Sequence, residues 1–251
     1  MNLLEIKNLS IRDGERYILK NFSFDLRKDS IHAVIGESGS GKTSFANTIF
    51  HLTHPALEIQ FDHYQILNRD YTELSDREWE EIRGNKITLI PQSPSKAFHP
   101  YLSVGSQMKD YYRVKKPSLA NQAKILEILE KVQIRNPKKA YESIPKNLSG
   151  GEKQRILVAM ALSVDPEIVV ADEPTTALDS INEKLTLNLL YTLLKNSGIG
   201  LVLITHDMRI VREFADDVTV LKSGEQIEKI TLLNKNMDRL QSEYSRKLVS
   251  K

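Results

Sequence analysis

Residues 36–43, GESGSGKT, place glycine, lysine and threonine at the spacing G-x-x-x-x-G-K-[ST], which is typical of a loop that binds phosphate. An apolar segment at 31–35 precedes this loop and a predicted helix at 42–51 follows it. Backbone N–H groups of such a loop close around phosphate oxygens, and the helix N-terminus adds partial positive charge. The predicted nucleotide-binding residues are Gly36, Glu37, Ser38, Gly39, Ser40, Gly41, Lys42, Thr43 and Ser44. The alternative is a glycine-rich turn with an incidental lysine.

Two carboxylates that complete such a site follow a second apolar segment, IVVADE at 168–173. Lys42 is predicted to reach the β- and γ-phosphates, and the Thr43 hydroxyl to ligate Mg²⁺. Asp172 is predicted to hold the same Mg²⁺, and Glu173 to act as the general base or to polarise the attacking water. The alternative is an ordinary acidic strand end before a proline turn.

Gln92 and His206 each follow a further predicted strand, so both are expected at the edge of the sheet where Asp172 and Glu173 lie. Gln92 is predicted to contact Mg²⁺ or the water. His206 is predicted to contact the γ-phosphate and to orient Glu173 or the water, although a lone histidine after a strand is often structural.

A second candidate anion site is the segment LSGGE, made of Leu148, Ser149, Gly150, Gly151 and Glu152, which precedes an apolar helix. Two separate phosphate-binding helix starts in one chain suggest a site shared between two molecules. Residues 149–151 of one subunit would then close over the γ-phosphate held by the loop of another. The alternative is a plain helix cap with Ser149 as the N-cap residue.

Strands and helices alternate along the chain, which predicts an α/β fold with a mostly parallel sheet. Residues 1–91 and 165–230 are interpreted as an ATP-binding core of the P-loop NTPase type that starts with antiparallel strands, including one at 57–66. Residues 92–164 contain no strand-like segment and are interpreted as a helical insertion. Residues 231–251 are interpreted as a short, largely helical extension.

Composition narrows the function classes further. The 251 residues include no cysteine, which excludes disulfides, thiolate zinc sites and cysteine-held iron–sulfur clusters. A net charge of +2 gives no indication of a nucleic-acid partner. The longest apolar runs are short compared with the ~20 residues of a spanning helix, so we expect a chain that does not cross a membrane by itself.

These motifs, in this order and with ALD at 177–179 before His206, resemble ATP-binding-cassette (ABC) ATPases over nearly the whole chain. The resemblance implies two cassettes in a head-to-tail dimer with two ATP molecules and Mg²⁺ between them. ATP binding would close this dimer and hydrolysis would reopen it. Asp179 matches the loop that communicates across the dimer, and the segment after Gln92 matches the helical subdomain that contacts membrane subunits.

Residues 83–108, 157–179 and 243–248 are similar to the peptide/nickel/opine importer subgroup of that family. The subgroup implies a second, different ABC ATPase as partner, with a homodimer as the alternative. It also implies two membrane permease subunits, an extracytoplasmic solute-binding protein that acts indirectly, and a location at the cytoplasmic face of the cell membrane. An exporter ATPase and a soluble ABC ATPase acting on nucleic acid or ribosomes are the rival functions.

One departure from the family concerns the aromatic residue that stacks on adenine. The matching positions hold Ile11, Arg12 and Asp13. Tyr17 is the nearest aromatic residue, and Arg12 is the alternative stacking partner.

Overall fold

The computed structural model describes residues 1–176, 178–195, 197–232 and 240–249, with only the backbone of residue 249. Within these residues eleven strands form one sheet. The strands are β1 (Asn2–Asp13), β2 (Arg16–Arg27), β3 (Ile31–Gly36), β4 (Glu58–Gln60), β5 (His63–Ile66), β6 (Arg69–Asp70), β7 (Ile87–Ile90), β8 (Ile168–Asp172), β9 (Gly200–Thr205), β10 (Asp217–Lys222) and β11 (Glu225–Thr231).

The parallel half of the sheet has the order β10-β3-β9-β8-β7. Every residue of β3 and β9 is buried, as expected for strands that carry helices on both faces. In the register of these strands Ile35 lies opposite Thr205, and Asp172 lies opposite Ile204. The carboxyl ends of β3, β8 and β9 therefore meet at one edge, as the alternation of elements predicted.

The antiparallel half is built on the long β1–β2 hairpin. The predicted single strand at 57–66 is wrong in detail, because β4 and β5 pair separately with β1. Between them the Asp62 N–H donates to the Lys7 carbonyl, which ends one ladder before the next begins. The two halves are joined by the β10–β11 hairpin, since β11 also pairs with β2.

The described helices cover the faces of the sheet and fill the segment between Gln92 and Val164, where the structure has no strand, as predicted. They are α1 (Lys42–Ile49), α2 (Asp76–Ile82), α3 (Pro94–Ala97), α4 (Val104–Lys115), α5 (Gln122–Lys131), α6 (Pro137–Glu142), α7 (Gly150–Leu162), α8 (Ser180–Leu194), α9 (Met208–Phe214) and α10 (Glu243–Val249). None of the helices that the structure describes is long and apolar enough to span a bilayer.

Three apolar clusters hold these elements together. The first packs α4, α5, α7 and α8 against the parallel strands, and the second lies between α1, α2 and the antiparallel strands. The third joins β3 and β10 to α9 and to the C-terminal residues Leu240, Tyr244 and Leu248. The predicted C-terminal helix is thus present as α10, while residues 233–239 and 250–251 lie outside the described residues.

Candidate functional site

The phosphate loop, residues 36–43, connects β3 to α1 and lies at the carboxyl edge of the parallel strands. Gly39 and Gly41 have φ angles of 78° and 102°, which L side chains rarely adopt. A Cβ atom on Gly41 would lie 2.6 Å from Leu19 Cδ2 and 2.8 Å from the Ile18 carbonyl oxygen. Gly41 is therefore required both for its conformation and for close contact with β2.

Lys42 is buried and holds the loop from within. Its Nζ donates to the carbonyl oxygens of Gly36 and Glu37, each at 2.8 Å, and lies 3.4 Å from Ser40 Oγ. Burial lowers the pKa of Lys42, while the charges of Glu173 and Asp172 raise it. A bound phosphate would therefore compete with these two carbonyl oxygens for the Lys42 ammonium.

The loop opens into a cleft of about 1280 Å³. Its lining contains predicted residues from the ends of four strands, β3, β7, β8 and β9. They are Gly36, Glu37, Ser38, Gly39, Gly41, Lys42, Thr43, Ser44, Gln92, Asp172, Glu173 and His206. Ser40 is the predicted loop residue that does not line the cleft, because it is buried behind the loop, where its carbonyl accepts from Gly224 N–H.

The acidic pair stands at the end of β8. Glu173 has a φ of 45°, in the left-handed region, and its N–H donates to the Ile204 carbonyl at 2.8 Å. Burial and the neighbouring charge of Glu173 raise the pKa of Asp172, and the charge of Lys42 lowers it.

Three side chains contact the Glu173 carboxylate. Gln92 Nε2 donates to Oε2 at 2.9 Å, and His206 Nδ1 lies 3.2 Å from Oε1. Thr176 Oγ1 also donates to Oε2, at 3.0 Å. The sequence predicted Gln92 and His206 at this edge of the sheet but did not predict Thr176. Its position in the turn directly after the acidic pair could have indicated it.

The donor set beside the loop suits a hard cation. Thr43 offers a hydroxyl, Asp172 a carboxylate and Gln92 an amide oxygen, and Mg²⁺ prefers such oxygen ligands. Because Gln92 uses its Nε2 to bind Glu173, its amide oxygen stays available. The residues present therefore fit the Mg²⁺ that the sequence predicted at Thr43, Gln92 and Asp172.

Neither residue that was expected to stack on adenine lines the cleft. From the β1–β2 hairpin, Ile18 lines the cleft, whereas Tyr17 and Arg12 are not among its lining residues. The Arg12 guanidinium instead lies 5.2 Å from the centre of the Tyr17 ring. The cleft also receives Arg209 from α9 and Leu248 from α10. The sequence analysis predicted neither residue at the site, although Leu248 ends the segment 243–248 that is similar to the importer subgroup.

Residues 148–152 lie away from this cleft, and none of them is among its lining residues. Ser149 is the N-cap of α7, with a reciprocal capping box: its Oγ accepts from Glu152 N–H at 3.2 Å, and its own N–H donates to Glu152 Oε2 at 2.9 Å. The cap that sequence reasoning kept as an alternative is thus present. Ser149 is also exposed at the surface.

Asp179, the predicted communication residue, is joined to the same region. It caps α8 by accepting from the backbone N–H groups of Ile181 and Asn182, and these bonds lower the pKa of its carboxyl group. Asn182 Nδ2 donates to Asp179 at 2.7 Å, and Asn182 Oδ1 accepts from Arg155 of α7 at 3.1 Å. Asp179 and the start of α7 therefore belong to one hydrogen-bonded unit.

Comparison with known proteins gives consistent matches. The family described as ABC transporter matches residues 19–176. The chain is 35% identical over 242 residues to the oligopeptide transport ATP-binding protein OppD of Lactococcus lactis subsp. lactis (strain IL1403), covering 92% of this chain and 70% of that protein. It is 34% identical over 239 residues to the metal-staphylopine import system ATP-binding protein CntD of Staphylococcus aureus (strain NCTC 8325 / PS 47), covering 92% of this chain and 86% of that protein.

Solved structures agree with these relatives. The dimeric post-hydrolysis state of the ATP-binding cassette MJ0796 bound to ADP and Pi superposes with a TM-score of 0.76 at 29% identity. That alignment covers 92% of this chain and 99% of the cassette.

Proposed function

The chain belongs to the ABC transporter family and is an ATPase subunit, and from this premise we propose that it powers import of peptides or metal–opine complexes through membrane permeases. The observation that carries the proposal is the convergence of Lys42, Asp172, Glu173, Gln92 and His206 on one cleft. This set includes groups predicted to bind the phosphates, to hold Mg²⁺ and to activate the attacking water.

The proposed roles follow from the contacts at the cleft. Lys42 leaves the carbonyl oxygens of Gly36 and Glu37 to bind the β- and γ-phosphates. Thr43, Asp172 and Gln92 would hold Mg²⁺, which neutralises charge that develops on the phosphates.

Glu173 is proposed to accept a proton from the attacking water. Gln92 and His206 hold its carboxylate from two sides, at 2.9 and 3.2 Å, so its orientation depends on both of their segments. His206 is mostly exposed, which leaves it free to face the γ-phosphate as well. The roles of all three residues stay predictions.

A second subunit is proposed to complete each site. Residues 148–152 lie outside the cleft of their own chain, and Ser149 is exposed, as expected for a residue that serves the nucleotide of a partner. The MJ0796 cassette is a dimer in its ADP- and Pi-bound state. We propose a head-to-tail dimer with a second ABC ATPase, with a homodimer as the alternative.

The class of cargo is proposed from the names of the relatives. OppD is named for oligopeptide transport and CntD for metal-staphylopine import. By analogy this subunit would lie at the cytoplasmic face of the membrane, bound to two permease subunits and supplied indirectly by an extracytoplasmic solute-binding protein.

The experiment that tests the proposal is deletion of the gene, followed by uptake measurements with short labelled peptides, and with nickel and cobalt in the presence and absence of a metallophore. We expect uptake of one of these classes to fall and to return when the wild-type gene is restored. Restoration with Glu173→Gln is the matched control, since that chain should assemble but turn over slowly. Unchanged uptake of every class, or faster loss of a compound from loaded wild-type cells than from the deletion strain, would contradict import.

A further inference from the structure

The C-terminal helix α10 packs against the nucleotide cleft. Leu248 of this helix lines the cleft together with Glu37 of the phosphate loop. It packs against the same apolar cluster as Met208, which stands two residues after His206. The helix is therefore placed between the loop that would hold the phosphates and the segment that carries His206.

This placement is fixed by a second set of contacts, with β11. Glu228 of β11 accepts from the backbone N–H groups of Gln241 and Ser242 at 2.7 and 3.2 Å. Ser242 Oγ also accepts from Ser245 N–H at 2.9 Å, and Ser245 and Leu240 are both buried. The start of α10 is thus anchored to the sheet by hydrogen bonds and by apolar burial.

Tyr244 connects this helix to the phosphate loop. Its ring lies under the Lys222 ammonium, 4.8 Å from Nζ to the ring centre. Its hydroxyl oxygen is buried and makes no well-formed hydrogen bond within the described residues. The group beside it is the backbone of Glu37. Burial raises the pKa of Tyr244, and a weak hydrogen bond from the backbone of Glu37 lowers it.

The peptide unit between Gly36 and Glu37 is thus approached from two sides. Lys42 Nζ donates to its carbonyl oxygen at 2.8 Å, and Tyr244 lies beside its N–H. When Lys42 moves to a phosphate, the loop loses the bonds that this lysine makes to Gly36 and Glu37. A buried hydroxyl without a good partner gains the most from a hydrogen bond at that moment, because leaving it unpaired is unfavourable.

We propose that Tyr244 is a positioning residue for nucleotide binding: its hydroxyl accepts a hydrogen bond from Glu37 N–H and holds the first peptide of the phosphate loop in place once Lys42 binds phosphate. The inference goes beyond the proposed transport function but rests on the cleft being an ATP site. It assigns the C-terminal helix to that site, and it acts through the phosphates of the nucleotide and not through the base.

The test compares Tyr244→Phe with Tyr112→Phe in the full-length chain. The first variant removes only the hydroxyl and keeps the ring under Lys222. The second removes another buried tyrosine hydroxyl, from α4, which does not line the cleft. The probe is a fluorescent N-methylanthraniloyl ATP with Mg²⁺, and inorganic tripolyphosphate displaces it. Thermal midpoints of both variants are measured in parallel.

We expect Tyr244→Phe to weaken binding of the fluorescent ATP and of tripolyphosphate by the same factor, about three- to tenfold for one hydrogen bond. We expect KM for ATP to rise by that factor with little change in kcat, since Tyr244 does not reach the reacting atoms. Tyr112→Phe should bind both probes as the wild type does, and both variants should keep similar thermal midpoints.

Wild-type affinity of Tyr244→Phe for both probes would overturn the inference while leaving the ATP site intact. Weaker binding of the fluorescent ATP with unchanged tripolyphosphate binding would also overturn it, because the effect would then act on the base. Failure of the wild-type chain to bind either probe would instead remove the ATP-site assignment, so the two failures are distinguishable.

Discussion

At the scale of single residues, the proposed chemistry centres on the Glu173 carboxylate. Gln92, Thr176 and His206 contact it from three different segments. Its backbone lies in the left-handed region, with a φ of 45°. We propose that Asp172 serves the metal while Glu173 faces the water.

The first prediction concerns this division of roles. Glu173→Gln keeps the size of the side chain but cannot accept a proton, so ATP turnover should fall by about 10²–10⁴-fold. Binding of Mg²⁺ and fluorescent ATP should stay within about twofold of the wild type, because Lys42 and the loop are unchanged. The control is Glu167→Gln. Glu167 directly precedes β8 and forms an ion pair with Lys86, so this variant should keep full turnover. Full turnover in Glu173→Gln would exclude this residue as the base.

The residues of the site that could be predicted are those that stand in local sequence motifs. Lys42, Asp172 and Glu173 stand in local motifs with fixed spacing, so their convergence followed from strand ends meeting at one edge. Ile18 and Leu248 reach the cleft through packing of distant segments, and no local pattern placed either residue there. Tyr17 is the opposite case. Its aromatic ring suggested a contact with the base, but the β1–β2 hairpin does not place it in the lining of the cleft.

At the scale of elements, Gly151, the second residue of α7, has a structural reason that sequence reasoning did not identify. A Cβ atom on Gly151 would lie 2.4 Å from Asn182 Oδ1 and 2.6 Å from Asn182 Cγ. Gly151 therefore permits the close approach of α7 to the start of α8. A contact within the chain therefore requires a glycine at position 151, apart from any role toward phosphate.

The second prediction tests that contact with a double-mutant cycle. Gly151→Ala should lower the free energy of unfolding by about 1–3 kcal/mol, because an added methyl group overpacks the contact. Asn182→Ala opens the space but loses its bonds to Asp179 and Arg155. With Asn182→Ala already present, Gly151→Ala should be less destabilising, and urea denaturation of the four chains measures the difference. Strictly additive effects would show that the contact does not restrict residue 151.

The third prediction concerns His32, which ties β3 to its neighbours. Its Nδ1 lies 2.6 Å from the Asp25 carbonyl oxygen and its Nε2 lies 2.9 Å from Thr219 Oγ1. Burial lowers the pKa of His32 to about 4, from 6.5. Below pH 6.5 the unfolded chain binds a proton that the folded chain excludes, so stability should fall as the pH decreases from 6.5 to 4. The contribution of this histidine is at most about 3 kcal/mol.

Denaturation of His32→Gln across that pH range checks this contribution. Glutamine cannot take up the proton, so the variant should be less stable at pH 7 but should lose less stability on acidification than the wild type. His54→Gln removes an exposed histidine and should keep the wild-type dependence on pH. Parallel pH profiles for His32→Gln and the wild type would contradict the assignment.

At the scale of the whole molecule, the class of fold was predictable, but the way in which the two halves of the sheet are joined was not. Alternating strands and helices predicted the parallel sheet, and the strand-free segment after Gln92 predicted the helices found there. The sequence did not show that β11 pairs with both β10 and β2 and so joins the parallel and antiparallel halves. Such pairing depends on contacts between segments about 200 residues apart, which periodicity cannot encode.

The separation of residues 148–152 from the cleft leads to the fourth prediction. If these residues serve a partner's nucleotide, Ser149→Arg should leave the chain's own affinity for fluorescent ATP within about twofold of the wild type. Lys42→Ala should weaken that affinity by more than tenfold, because it removes a charge-assisted contact to phosphate. Fluorescence titration of the isolated chain compares the two.

The same Ser149→Arg change should also block assembly of the dimer, because Ser149 is proposed to contact the nucleotide of the partner subunit. In a Glu173→Gln background, sedimentation should show a dimer with Mg²⁺ and ATP, formed by the chain alone or with its co-purifying ATPase, and Ser149→Arg should abolish it. Ser75→Arg is the matched control, because Ser75 is an exposed N-cap with the same capping box, at the start of α2. It removes an equivalent helix cap but should leave association intact. If Ser149→Arg instead weakened nucleotide binding as strongly as Lys42→Ala in the isolated chain, Ser149 would belong to its own cleft, and the shared site would be wrong.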